Sequence, residues 1–336
     1  MIDLRSDTVT KPTSAMRHVI LNSEVGDDIY GEDPSVNALE AYAAKLFDKE
    51  AALFLTSGTQ GNTIAILAQT EPGSEVLVEK DAHIFWYESG AASAIGGVQL
   101  HPVPGHKGIM EGEDIEARIR AKGNVHFPQT ALVCVENTHN RAGGTCWSLN
   151  QLKEVKDVAD NHDLKVHMDG ARIFNASIAS GVLVKDYAKY VDTVQFCLSK
   201  GLGAPVGSIL VGPEEVIEKA RFWRKRLGGA MRQAGIIASA GLYALKNNVD
   251  RLALDHKLAK KLATGLQDLG LDVNPLNVQT NMVMLPYTDC ESLLLKLKKK
   301  GVLAGLSTPD VIRFVTHLDV TEEDIDTTLK TISELI

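Results

Sequence analysis

The feature that most constrains this chain is an alternation of short apolar runs with longer amphipathic stretches between residues 35 and 212. The runs lie at residues 51–56, 75–78, 131–135, 164–168, 193–198 and 207–211. Each is apolar throughout or nearly so, the pattern of strands covered on both faces. Residues 60–69, 114–121 and 149–161 carry helical spacing instead. Strands alternating with helices build a mostly parallel sheet wrapped by helices. Only residues 200–206, rich in Gly and Pro, join the last two runs. That is too short for a helical crossover, so the final strand is expected to run antiparallel.

After residue 245 the texture changes. A long amphipathic helix is expected over 252–269, a strand over 280–286, a helix over 290–300 and a strand over 311–317. A last helix opens at Thr321-Glu322-Glu323-Asp324, a capping pattern. A chain of 336 residues is too long for one small core. The expected division is an α/β domain over 1–245, whose N-terminal segment lies near the active site, and a small α+β domain over 246–336.

The net charge of -8 gives no electrostatic reason to bind nucleic acid or an anionic membrane. No apolar run approaches the length of a membrane span. The N-terminal residues lack the basic start and apolar core of a signal peptide. Cys134, Cys146, Cys197 and Cys290 form no C-x-x-C pair, so neither a zinc site nor a redox motif is expected. They read as small buried hydrophobes in a reducing compartment, and the expected location is the cytoplasm.

Four local features carry chemistry. Thr56-Ser57-Gly58-Thr59-Gln60-Gly61-Asn62 lies between a buried strand and a helix. A helix N-terminus with Ser57 and Thr59 hydroxyls, and with Gly58 allowing close approach, can cradle a phosphate. The same residues also suit an ordinary N-cap. Asp169, in Val166-His167-Met168-Asp169-Gly170-Ala171-Arg172, stands at the carboxyl end of a strand, where open α/β sheets place ligands. A carboxylate there needs a cation, either a pyridinium N–H or Arg172. Lys200 follows a buried strand and precedes a Gly-rich loop. There it is either a solvated lysine or an amine that loses its proton readily and forms a Schiff base. Lastly, His83, His126, Arg172 and Arg313 sit at strand ends or loops. The His83 ring could stack on a planar cofactor, or serve only as a capped or core histidine. Arg313, within an apolar strand, needs a carboxylate from the protein or from a substrate. In chain order these are the parts that pyridoxal phosphate chemistry uses.

Taken with these, several runs show a specific resemblance. They are Asp3-Leu4-Arg5-Ser6-Asp7-Thr8-Val9-Thr10, Val25-Gly26-Asp27-Asp28-Ile29-Tyr30-Gly31-Glu32-Asp33-Pro34 and Glu136-Asn137-Thr138-His139-Asn140. To them are added Asp169-Gly170-Ala171-Arg172, Ser199-Lys200-Gly201-Leu202-Gly203-Ala204-Pro205-Val206-Gly207 and Leu227-Gly228-Gly229-Ala230-Met231-Arg232-Gln233. With them the chain resembles, from end to end, the L-threonine aldolase family of fold-type I pyridoxal-phosphate enzymes.

The resemblance implies retro-aldol cleavage of L-threonine or L-allo-threonine to glycine and acetaldehyde. Another fold-type I activity is the alternative: an aminotransferase, a β-eliminating lyase or a serine hydroxymethyltransferase. It also implies roles. Lys200 would carry pyridoxal 5'-phosphate, Asp169 would keep the ring nitrogen protonated, and His83 would stack on the ring. Ser57, Gly58 and Thr59 would hold the phosphate. Ser6, Arg172 and Arg313 would bind the substrate carboxylate, and His126 would sit near the β-hydroxyl. Tyr30 and the basic run from Arg224-Lys225-Arg226 to Arg232 would contribute across a subunit interface in a homo-oligomer, a tetramer built as a dimer of dimers. The alternative for that basic run is a solvated helix face. No metal site is expected.

Overall fold

A computed structural model describes all 336 residues. The chain opens with a short strand, β1 (Ile2–Leu4), and two helices, Ser14–Leu21 and Pro34–Phe47. Seven strands then follow with helices between them: β2 (Ala51–Leu55), β3 (Glu75–Glu79), β4 (Gln99–Val103), β5 (Thr130–Glu136), β6 (Lys165–Asp169), β7 (Thr193–Cys197) and β8 (Ser208–Gly212). They form one sheet in the order β2-β8-β7-β6-β5-β3-β4. Pairing is parallel from β7 through β4, and β8 runs antiparallel to both of its neighbours. β2 therefore points the same way as β7, and six strands end on one edge of the sheet. The strand interiors are buried on both faces, as their unbroken apolar character requires.

A second, four-stranded sheet holds β9 (Met282–Pro286), β10 (Val302–Thr308) and β11 (Val311–Val315), in the order β1-β10-β11-β9. The N-terminal strand β1 thus pairs in parallel with β10, and Leu4 packs in the small-sheet core with Leu258, Leu262, Leu297 and Phe314. Two helices, Glu214–Arg226 and Gly235–Asn247, precede the long helix Leu252–Asp268 that backs this sheet. The expected cap on the last helix is present: Thr321 and Asp324 form a reciprocal capping box.

One expectation at element level fails. Residues 114–121 form only the end of a short helix, Gly112–Glu116, because Arg120 turns inward and its Nε donates to buried Glu75 at 3.2 Å. β4 was invisible in the sequence, since Gln99, His101 and Pro102 break the apolar pattern. As an edge strand it tolerates both proline and exposure. No helix is long and apolar enough to cross a membrane.

Candidate active site

The carboxyl ends of the parallel strands converge, and the chemistry-bearing residues lie there. The helix Gly58–Gln69 follows β2, His83 follows β3, and Asn140 follows β5. Arg172 lies after β6, which ends on Asp169, and Lys200 lies after β7. This edge is the usual ligand position in open α/β sheets. A cavity of about 160 Å³ there is lined by Ser57, Gly58, Thr59, Asn62, His83, Glu88, Asp169, Ala171, Gln195, Cys197, Ser199 and Lys200.

One end of the cavity is the first turn of the helix Gly58–Gln69. Ser57 caps that helix, its Oγ accepting from the Gln60 N–H at 3.2 Å, so the ordinary N-cap and the cradle are the same structure. The first backbone N–H groups of a helix have no intrahelical partner and face the cavity mouth. Glycine is required at position 58, because a Cβ there would stand 2.8 Å from Cys197 Sγ and 3.3 Å from Gln195 Nε2. Cys197 and Gln195 of β7 close the floor of this turn.

The opposite end is a buried polar cluster. Asp169 is 2 % exposed, and one of its oxygens accepts from Asn62 Nδ2 at 2.9 Å while the other accepts from the Ala171 N–H at 3.0 Å. It does not pair with Arg172. His83 opens a short helix, His83–Trp86, and its Nδ1 lies 3.0 Å from Glu88 Oε1. Burial opposes charge on His83, but Glu88, Asp169 and Glu136 outweigh it and raise the imidazole pKa. Burial likewise raises the Glu88 carboxyl; His83 works against that shift and Asp169 adds to it. A pyridine-sized ring carrying an N–H, a phosphate and an amine-reactive carbon fits this donor set: a carboxylate at one end, an anion cradle at the other, an imidazole at the wall and Lys200 beside it.

Next to the cavity lies an arginine pair. Arg172 grips Asp7 through two hydrogen bonds, Nε to Oδ2 at 2.7 Å and Nη2 to Oδ1 at 2.6 Å. Burial alone would raise the Asp7 carboxyl, but Arg172, Lys200 and Asn281 hold it down at about 2. Arg172 Nη1 and Arg313 Nη1 both donate to Asn140 Oδ1, at 3.3 and 2.9 Å. Arg313 Nη2 reaches the Arg5 carbonyl at 3.3 Å, and its Nε is buried without a partner. Burial first, and then the charge of Arg172, lower the Arg313 pKa. Two guanidinium groups thus share one neutral acceptor, and the only carboxylate between them belongs to Arg172. This is a socket for a further anion. Ser6, beside Asp7, turns its Oγ toward Thr8, accepting from the Thr8 N–H at 3.2 Å and from its hydroxyl at 2.9 Å.

A profile of the β-eliminating lyase family matches residues 3–288. Low-specificity L-threonine aldolase 1 of Arabidopsis thaliana is 47% identical over 98% of this chain and 94% of its own. Low specificity L-threonine aldolase of Escherichia coli K12 is 44% identical over 97% of this chain and 96% of its own. The chain belongs to the L-threonine aldolase family. A threonine aldolase structure from Leishmania major superimposes with a TM-score of 0.86 at 20% identity, covering 100% of this chain and 99% of that one. The fold is therefore the fold-type I architecture.

Two of the expected aldolase residues stand apart from the others. His126 lies on the exposed loop before β5, its N–H bonded to Asn124 Oδ1 at 3.0 Å. The seven residues of β5 separate that loop from the cavity edge, roughly 20 Å at 3.3 Å per residue. Tyr30, 73% exposed, ends a 3-10 turn, Asp28–Tyr30. Within the basic run, Arg224 is buried and pairs with Asp28 at 2.8 Å, whereas Lys225 and Arg226 are exposed. Arg232 pairs with Asp27 at 3.0 Å on the surface. The residues missed from sequence are Asp7, Asn62, Glu88 and Asn140. Glu88 sits five residues from His83 and could have been sought there. Nothing in the sequence joins Asp7 to Arg172, 165 positions away.

Proposed function

We propose that this aldolase-family chain binds pyridoxal 5'-phosphate on Lys200 and cleaves the Cα–Cβ bond of L-threonine or L-allo-threonine, yielding glycine and acetaldehyde. The observation that carries the reading is the convergence of Lys200, Asp169 and an open helix N-terminus on one cavity beside an under-compensated arginine. The cofactor, when bound, supplies an electron-withdrawing ring that accepts the electron pair released at Cα.

The protein's part is positional and electrostatic. Ser57, Gly58 and Thr59 hold the phosphate at the positive end of a helix. Asp169 keeps a proton on the ring nitrogen, and His83, steadied by Glu88, covers a ring face. Arg313, with Asn140 and Ser6, would grip the substrate carboxylate and so orient the substrate in the cavity. Arg172, its charge met by Asp7, holds Asn140 from the other side and leaves Arg313 as the free positive charge of that corner. Lys200, which lines the cavity, would carry the cofactor through its Nζ.

The β-hydroxyl proton needs a base or a positioned water, and His126 is assigned that role. Its own chain holds it at the far end of β5, so a second copy must bring it. That makes the working unit a homo-oligomer with shared sites, for which the family resemblance implies a tetramer. Val125 and Phe127, which flank His126, are 94% and 41% exposed, and Tyr30 projects with Ile29 and Val25. Such exposed apolar groups suit a subunit contact. Four unpaired cysteines suit a cytoplasmic enzyme.

The test is a paired assay on the purified protein: visible absorbance of bound cofactor, and acetaldehyde release from L-threonine and L-allo-threonine. Both signals are expected in the wild type, and both should vanish in Lys200→Ala. Near-normal turnover in that variant would refute the assignment. Bound cofactor without acetaldehyde release would move the activity to another fold-type I reaction.

A further inference from the structure

Behind the cavity, a buried hydrogen-bond chain runs from Asp169 to Thr193 at the start of β7. Asn62, 1% exposed, donates from one nitrogen to Glu88 Oε1 at 2.7 Å and to Asp169 Oδ2 at 2.9 Å. Its Oδ1 lies 3.1 Å from His167 Nε2, His167 Nδ1 lies 2.8 Å from Thr193 Oγ1, and Gln69 Nε2 donates to that same hydroxyl at 2.9 Å. The placement follows from the strands. His167 precedes Asp169 by two residues on β6, so both side chains face the helix that carries Asn62. Thr193 is the register partner of His167 on β7.

The direction of each bond is fixed. Burial lowers the His167 pKa to about 4, so the ring is neutral and holds one proton. Asn62 turns its N–H groups toward two carboxylates, so its Oδ1 needs the ring's one proton at His167 Nε2, and the bare Nδ1 accepts from the Thr193 O–H. The imidazole proton is then on Nε2 and donates to Asn62 Oδ1. That bond locks the amide with both N–H groups toward the carboxylates. In the flipped amide an oxygen would face two carboxylate oxygens.

We propose that Asn62, locked by His167 and Thr193, is a positioning residue that keeps two neighbouring carboxylates on separate tasks, Asp169 toward the ring nitrogen and Glu88 toward His83. Their ligand atoms, with that of His83, lie within 4.8 Å of one another. Without a shared donor between them, one of the two takes up a proton or turns toward the other's partner. The inference rests on the pyridoxal-phosphate reading above.

Cofactor-free protein titrated with pyridoxal phosphate, followed by absorbance and fluorescence, tests it. Wild-type protein sets the reference. If it binds no cofactor, the pyridoxal-phosphate reading itself fails. Asn62→Leu and His167→Phe should weaken binding roughly tenfold or more, the scale of a lost hydrogen bond to a charged group. His167→Gln, whose amide can donate to Asn62 and accept from Thr193, should recover most of that loss. Thr193→Val, nearly isosteric, should weaken binding in the same direction should His167→Phe fold poorly. In loaded variants the KM for L-threonine should stay within about twofold while kcat falls, because the Arg313 grip is untouched. Wild-type affinity in Asn62→Leu and Thr193→Val, or a His167→Gln no better than His167→Phe, overturns the proposal.

Discussion

Replacing Asp7 with asparagine isolates one buried charge pair that holds the carboxylate-binding corner together. Asp7 and Arg172 are almost fully buried and joined by two short hydrogen bonds. Asp7 titrates at about 2 in the folded protein against 3.8 as a free carboxyl. A depressed folded pKa means that the unfolded chain binds more protons below neutrality, so the contribution grows as pH rises. The difference corresponds to about 2.4 kcal/mol at pH 7, falls to about 1.3 kcal/mol at pH 3, and disappears once both states are protonated below pH 2. Leaving Arg172 buried without a counter-charge adds a pH-independent part, bringing the total at neutrality to about 3–5 kcal/mol. Urea-unfolding curves of wild type and Asp7→Asn from pH 3 to pH 7 read this directly. The gap between them should narrow by about 1 kcal/mol toward pH 3. A gap that stays constant across that range would show that the pair acts through shape rather than charge.

Two further substitutions separate the substrate socket from the cofactor cradle. Arg313→Lys keeps the charge but loses the planar fork shared with Asn140, so the KM for L-threonine should rise about 10- to 100-fold, with cofactor affinity unchanged by titration. Gly58→Ala pushes a methyl against Cys197 Sγ at 2.8 Å, which should destabilise the protein by about 1–3 kcal/mol and weaken cofactor binding in the same titration, while Cys197→Ala in the same chain should restore part of both.

The large sheet was legible because its central strands are covered on both faces and leave continuous apolar runs. The antiparallel turn into β8 was legible because residues 200–206 cannot span a crossover. β4, β1 and β10 were not, since an edge or half-exposed strand carries polar residues, proline and glycine that erase the pattern. The same division runs through the site. Asp169 and Lys200 stand at the ends of readable strands, and Ser57, Gly58 and Thr59 open a readable helix. Asn62 looked like one more helical residue, and Asp7 and Asn140 lie on segments without periodicity. Their roles depend on pairings across the fold that no local pattern encodes. His126 was read as a loop histidine and given its place near the β-hydroxyl only by the family resemblance, and its distance from the cavity of its own chain emerged from its position before β5.

The pairing of β1 with β10 has a consequence for how the protein is made. Ile2 and Val302 are partners, so about 300 residues of synthesis separate the two halves of that ladder. At roughly 5–20 residues per second, the first strand waits on the order of 15–60 seconds for its mate. The seven-stranded sheet, complete by Gly212, has left the ribosome well before then. During that interval Asp7 can already find Arg172, whereas Leu4 and its neighbours lack their core. The nascent chain therefore carries a loose apolar thread beside a finished sheet until its last third arrives, which makes the opening residues a natural stretch for a chaperone to hold.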